Sequence, residues 1–260
     1  MGSKRTDIKY YESFMPDALT IDICIEPYGG SGYNSLYLFS KNKNIKSIIN
    51  DTDELLINFF TQIKNNTDTI IDGFNNLIIA YPSKEEFKNI LTEFKENKSN
   101  NTRRAILYLF LNKFHGIKKF MYPLNKKINI INKEKYAIFF EWLKNTEFNL
   151  KDYTDTFKDI INYDINKKYF IFLDPPYLDS CNRFYNSHNN CVSNYDNTTM
   201  YIDIKNYFKL TQKNTMLIIN KNSITYYLYK KYLKGEYKKI YQYTKNTAIH
   251  LIITNYGGVI

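Results

Sequence analysis

The stretch ALTIDICIEPYGGSGYNSLYLFSK covers residues 18–41. Ile21, Ile23 and Ile25 alternate with polar or small residues, which predicts a β-strand. Gly29, Gly30 and Gly32 then predict a turn. Leu36, Tyr37 and Phe39 mark a short helix behind it. The following stretch, NIKSIINDTDELLINFFTQIKN (44–65), repeats that order. Ile45 to Ile49 reads as a strand ending at Asp51. Thr52 or Asp53 can cap the helix that carries Leu55, Leu56, Phe59, Phe60 and Ile63. Strand, turn and helix twice in succession predict an α/β fold with a parallel sheet.

The pattern changes after about Asn65. SKEEFKNILTEFKENKSNNTRRAILYLFLNKF (83–114) is mostly helical, with a polar break in its middle. IKKFMYPLNKKINIINKEK (117–135) is basic, irregular and aromatic, and YAIFFEWLKNT (136–146) reads as a helix. Strand signals return at KYFIFLDPPY (168–177). A helix is expected over Tyr201–Leu210, a strand in NTMLIINKNS (214–223) and a helix in ITYYLYKKYL (224–233). KKIYQYTK (238–245) and AIHLIITNY (248–256) predict a closing antiparallel pair. The expected organisation is therefore one sheet domain, 1–64 with 150–260, interrupted by a mainly helical insertion at 65–149.

The chain has 260 residues, 43% hydrophobic and 17% aromatic, enough to bury a substantial core. Its net charge of +10 suits a polyanionic partner. Part of that lysine excess, with the abundant Asn and Ile, reads as the habit of an A+T-rich genome. Cys24, Cys181 and Cys191 have no zinc-like spacing. An odd set of three thiols suits a reducing, intracellular compartment. His115, His188 and His250 form no metal motif and read as surface or structural residues. No apolar run approaches the ~18 residues of a membrane span, and no secretory leader is evident. MGSKRT (1–6) matches the permissive myristoylation pattern.

Two constellations carry chemistry. A glycine turn after a first strand lets backbone approach a ligand and leaves amides free at a helix N-terminus. An acid about twenty positions on can hold both ribose hydroxyls; Gly32 to Asp51 is 19 positions. The turn is EPYGGSG (26–32), neither a dinucleotide fingerprint nor a phosphate loop. Glu26 would face a pyrophosphate badly and a cation well, which points to S-adenosylmethionine with its sulfonium and ammonium. The second is DPPY (174–177), at the end of an apolar strand. In an open α/β sheet, ligands sit outside the carboxyl ends of the strands. Pro175 and Pro176 fix the backbone and offer carbonyls but no N–H. A carboxylate and a rigid carbonyl can accept both hydrogens of an exocyclic base amine. That localises the nitrogen lone pair, and Tyr177 can stack on the ring.

With these motifs the chain resembles Dam-type, D12 class N6-adenine-specific DNA methyltransferases. GSK (2–4) resembles the family's G-x-K cofactor element, EPYGGSG its E-P-F-x-G-x-G turn, and IINDTDELL (48–56) the segment whose acid holds the ribose. DPPY is its catalytic motif. LYLFLNKFHG (107–116) and HLIITNY (250–256) resemble further landmarks in the family's order. Tyr28 stands where Phe is common. The family usually has an aromatic residue two positions before the G-x-K glycine, and this sequence begins too late to show that position.

The resemblance implies a Rossmann-like class I methyltransferase sheet with an inserted target-recognition region. It implies S-adenosylmethionine as methyl donor, no metal, and double-stranded DNA as substrate. A cognate restriction endonuclease is an expected partner, and the chain is expected to act as a monomer or weak dimer of microbial or viral origin. Asp174, Pro175, Pro176 and Tyr177 become the catalytic set. Gly2, Ser3, Lys4, Glu26, Pro27, Tyr28, Gly29, Gly30, Ser31, Gly32, Asp51 and Thr52 become the cofactor set, with Asp174 at its edge. Asp155 is a candidate for the cofactor adenine, in competition with Asp152–Tyr153, because the family has D-F where this chain has Asp-Thr-Phe. Arg103, Arg104, Lys113, Lys118, Lys119, Lys126 and Lys127 are candidate phosphate contacts, and Phe120 and Tyr122 candidate wedges near a flipped base. The alternatives are an amino-methyltransferase for cytosine or RNA, and a methyltransferase fold that binds nucleic acid without turnover.

Overall fold

The computed structural model describes residues 4–80, 83–96, 99–115, 129–177, 197–240 and 247–257. The chain divides into two compact units. One is Gly2–Asn50 with Lys151–Ile260, and the other is Asp51–Leu150.

The first unit is built on β1 (Ile23–Glu26), β2 (Lys46–Asp51), β4 (Tyr169–Leu173), β5 (Asn214–Asn220), β6 (Leu233–Ile240) and β7 (Thr247–Thr254). They stand in the order β2-β1-β4-β5-β7-β6. β1 pairs in parallel with β2 and with β4, and β4 with β5. β7 runs antiparallel to both β5 and β6. The expected parallel sheet and its closing antiparallel pair are both present. β6 begins at Leu233, earlier than the sequence pattern suggests, because a bulge between Leu233 and Gly235 interrupts its alternation.

The two-residue period of the strands sorts the core into two layers. Ile23, Ile25, Ile171, Leu173, Leu217, Ile219, Leu251 and Ile253 face α7 (Tyr153–Asn162), α8 (Asn197–Leu210) and α9 (Ser223–Tyr229). Cys24, Phe170, Phe172, Met216, Ile218 and Ile252 face the opposite way, toward Leu38 of α1 (Tyr33–Lys41). That second layer is completed by an N-terminal run of 3-10 turns, which contributes Ile8, Tyr11, Phe14 and Ala18. α1 follows β1 and α8 follows β4, and right-handed crossovers in opposite directions put them on opposite faces. The strand order reverses between β1 and β4, and this is the position where such sheets take ligands.

The unit Asp51–Leu150 is mainly helical. It contains α2 (Glu54–Asn65), α3 (Thr67–Ala80), α4 (Lys84–Glu96), α5 (Asn101–His115) and α6 (Ala137–Lys144). It ends in a short strand, β3 (Thr146–Leu150). Asp53, one of the two expected caps of α2, accepts from the backbone N–H groups of Leu55 and Leu56. Phe60 of α2 stacks on Phe148 and meets Trp142 edge-on, an aromatic knot that closes this unit. Among the described residues no helix is long and apolar enough to cross a membrane. No group of three or more His, Cys, Asp or Glu there is placed to hold a metal.

Candidate active site

β1 delivers Glu26 to the switch point. Its carboxyl is 2% exposed. The Ser35 backbone N–H, in the first turn of α1, donates to Oε1 at 2.8 Å. Asn34 Nδ2 lies 3.4 Å from Oε2. A helix N-terminus favours a negative group. Burial outweighs those hydrogen bonds, and with the nearby Asp174 charge it pushes the Glu26 carboxyl up to about 7. Asn34 is itself held from the N-terminal turns, where the Tyr11 hydroxyl donates to its Oδ1 at 2.7 Å. Tyr11 is fully buried, so its phenol stays protonated.

The glycine turn lies between Glu26 and α1. The Gly29 N–H donates to the Asn50 carbonyl at 2.8 Å, and the Gly32 N–H to that of Gly29. A Cβ on Gly29 would stand 2.3 Å from Ile49 Cγ2, so β2 passes too close for any side chain. Gly30 is different. Its φ is +49°, and a Cβ there would meet nothing within 4 Å. Gly32, at φ +62°, caps α1. Ser31 is half-buried and Pro27 buried. The Tyr28 ring stacks on Tyr153 of α7 at 5.5 Å, while its buried hydroxyl has no hydrogen-bond partner among the described residues.

β4 ends at Leu173 and delivers Asp174–Tyr177 beside that turn. Pro175 is buried, and Asp174, Pro176 and Tyr177 are half-buried. β1 and β4 pair in parallel with Ile25 opposite Ile171, so Glu26 and Asp174 leave adjacent strands at the same end of the sheet. The Tyr201 hydroxyl, on α8, donates to the Pro176 carbonyl at 3.2 Å. Tyr201 is pinned in turn, because the Tyr229 hydroxyl donates to its carbonyl at 2.6 Å. One of the two proline carbonyls expected to serve as free acceptors is therefore already engaged. The Tyr177 ring meets His250 of β7 edge-on.

Other expected site residues fall elsewhere. Asp51 closes β2, half-buried, and accepts from the Asp53 N–H at 2.9 Å. Thr52 is exposed. Asp155 is turned to solvent and paired with Lys158, which holds its carboxyl below the usual range. Its rival segment is the one against the glycine turn, since Tyr153 packs on Tyr28 and Asp152 caps α7 by accepting from the Thr154 N–H. Arg103 is committed within the helical unit, clasping Glu93 with two hydrogen bonds of 2.7 and 2.8 Å. Arg104 is largely buried beside Glu54. Lys113 is exposed. Gly2, Ser3, Lys118, Lys119, Phe120, Tyr122, Lys126 and Lys127 lie outside the described residues, as does the side chain of Lys4.

The supporting residues sequence reasoning passed over are Tyr11, Asn34, Ser35, Tyr201 and Tyr229, and His250, read there as surface or structural, is fully buried. Asn34 and Ser35 left a faint signal as paired polar residues opening an otherwise apolar helix. His250 left a clearer one, as a polar residue at an inward position of a closing strand.

A family model described as D12 class N6 adenine-specific DNA methyltransferase matches residues 1–249. The type II methyltransferase M.CviBI of Paramecium bursaria Chlorella virus NC1A is 23% identical, over 98% of this chain and 97% of its own length. M.MjaIII of Methanocaldococcus jannaschii is 26% identical, over 68% of this chain and 66% of its own. M1.LlaDCHI of Lactococcus lactis subsp. cremoris is 26% identical, over 68% and 63%. The chain thus spans nearly all of the viral relative and just under two thirds of the archaeal and bacterial ones.

Proposed function

Since the chain belongs to the D12 class of N6 adenine-specific DNA methyltransferases, we propose that it methylates the adenine amino group of DNA at the meeting point of β1 and β4. We take S-adenosylmethionine as the donor. When bound, it supplies an electrophilic methyl group on a sulfonium. The residues present suit such a ligand. Gly30 leaves open space beside the turn, Glu26 offers a buried carboxyl to a cation, and the buried Tyr28 hydroxyl has no partner among the described residues. We assign the ribose hydroxyls to Asp51, which ends β2. The adenine-binding role shifts from Asp155 to the Asp152–Tyr153 segment. The single observation that supports this reading is that Glu26 and Asp174 close adjacent parallel strands at the same end of the sheet.

The chain's own residues account for the acceptor side. An exocyclic amine is a weak nucleophile because its lone pair is delocalised into the ring. Asp174 and the Pro175 carbonyl accept its two hydrogens and localise that lone pair. Tyr177 stacks on the flipped base. Tyr201 holds the Pro176 carbonyl and so keeps the acceptors in place. After transfer the nitrogen is acidic and gives its proton to Asp174 or to water, so Asp174 need not be a strong base. Alignment within the site does most of the work. In the cell, we expect a microbial or viral setting, double-stranded DNA and a cognate endonuclease, with the enzyme a monomer or weak dimer.

Incubation with labelled S-adenosylmethionine and A+T-rich duplex DNA, followed by digestion to nucleosides, tests this directly. Label is expected in N6-methyladenine. Label in cytidine, or only with RNA, overturns the substrate assignment. Asp174→Ala is expected to lose on the order of 10²–10³ in turnover while still binding S-adenosylmethionine by calorimetry. Full activity in that variant overturns the site.

A further inference from the structure

We propose that His250 is a positioning residue that sets the Tyr177 ring for the target base. The proposal rests on the reading of Tyr177 as the ring that stacks on a flipped adenine.

His250 lies on β7, directly across from Asn220 of β5 and Tyr237 of β6. It is fully buried. Two residues from Ile252, it shares that residue's face of the sheet, the one covered by the N-terminal turns. Its ring belongs to a column. Tyr10 stacks on Tyr237 at 4.9 Å and 7°, and Tyr237 stacks on His250 at 5.0 Å and 11°. Tyr177 stands at the end of that column, 5.4 Å from His250 and inclined at 69°. The Tyr177 hydroxyl is 3.5 Å from His250 Nδ1, at the outer limit of a hydrogen bond.

A packing role alone would not call for imidazole. Burying a polar ring in an apolar layer is costly unless its nitrogens are used, and a leucine or phenylalanine would fill the same space. The stack on Tyr237 fixes the plane of His250, and in the observed rotamer Nδ1 faces the Tyr177 hydroxyl. Tyr177 follows two prolines, so the backbone that leads to it is stiff. Its remaining freedom is rotation about the side-chain bonds. An edge-on ring contact together with a contact at the hydroxyl removes that freedom, and it leaves a ring face for a base. Hydrogen bonds that are long in a free enzyme shorten in the substrate complex.

The test is steady-state kinetics on duplex DNA, with S-adenosylmethionine affinity measured by calorimetry. Asparagine carries an amide near the position of Nδ1, and glutamine carries one near that of Nε2. His250→Asn is expected to keep kcat close to wild type. His250→Gln and His250→Phe are expected to lower kcat by about three- to tenfold, the worth of one hydrogen bond, with cofactor affinity unchanged. Tyr177→Phe is expected to give a similar loss. The double variant, Tyr177→Phe with His250→Gln, is expected to be no worse than the poorer single. Losses that multiply in the double variant overturn the proposal. So do equal losses in Asn and Gln, or an unchanged kcat in Gln. If His250→Phe does not fold, the Asn and Gln pair and the double variant still decide. A wild-type protein that places no label in adenine refutes the underlying functional reading. An active wild type with multiplying losses refutes only the role of His250.

Discussion

At Glu26 two requirements conflict. The fold buries this carboxyl, and burial favours its protonated form, with a pKa near 7. A cationic ligand needs the ionised form. In the unfolded chain the carboxyl titrates at about 4.3. Between that value and about 7 the folded state therefore holds more proton than the unfolded one. This group's contribution to stability falls as pH rises through that window and is flat above it. A bound cation reverses the preference. S-adenosylmethionine affinity is expected to rise from pH 6 to pH 8, measured by calorimetry. Glu26→Gln should bind weakly, show little of that pH dependence, and raise the Tm of the free protein at pH 8. The glycines of the turn make a second contrast. Gly29→Ala drives a methyl into Ile49 and should cost about 1–3 kcal/mol in urea unfolding. Gly30→Ala meets open space and should cost only the ~1–2 kcal/mol of a left-handed backbone. Glu26, the glycines, Asp51 and DPPY were all legible in the sequence, because their chemistry is local and marked by residue type. Tyr11, Asn34 and Tyr201 were not. Each acts on a residue far along the chain, and no local pattern announces a buried hydroxyl's partner.

Among the elements, α8 and α9 act as the backing of the DPPY segment. Tyr229 holds the Tyr201 carbonyl, and Tyr201 holds the Pro176 carbonyl. Tyr201→Phe removes the outer of those two bonds. It is expected to lower stability by about 1 kcal/mol and to reduce kcat several-fold, with S-adenosylmethionine affinity unchanged by calorimetry. The inner strands were easily read, since β4 and the centre of β5 are apolar runs buried on both faces and β1 alternates isoleucines with small or polar residues. β3 escaped notice because only Thr146 of its five residues is buried, so it shows no alternation. α7 escaped because it is short and polar, although Tyr153, Thr156, Phe157 and Ile160 line one buried face at helical spacing. The N-terminal 3-10 turns have no period to detect, yet they supply Tyr11.

For the whole molecule, the net charge of +10 sets the expectation for DNA. Binding to non-cognate duplex should weaken steeply and log-linearly with salt, while S-adenosylmethionine affinity should change little. A flat salt response in fluorescence anisotropy would remove the electrostatic role. Within the helical unit, Arg103 is clasped by Glu93, so Arg103→Ala should lower the melting temperature more than it changes that salt slope. The sequence also marked a helical block between the sheet-forming segments. It did not mark the bounds of the compact unit, Asp51–Leu150. α2 reads locally as the crossover after β2, and only its packing on α5 and β3 assigns it to the helices.

The pairing of β1 with β4 sets an order on biosynthesis. Ile23 must find Tyr169, and the entire helical unit leaves the ribosome between them. Until then β1 has β2 on one side and an unsatisfied apolar edge on the other. Nascent chains halted before Tyr169 should be the aggregation-prone and chaperone-bound species, whereas chains released beyond β5 should escape that fate. Because the amine clamp follows β4 directly, the register that rescues the nascent edge also creates the acceptor site. Truncated translation products should therefore carry no partial activity.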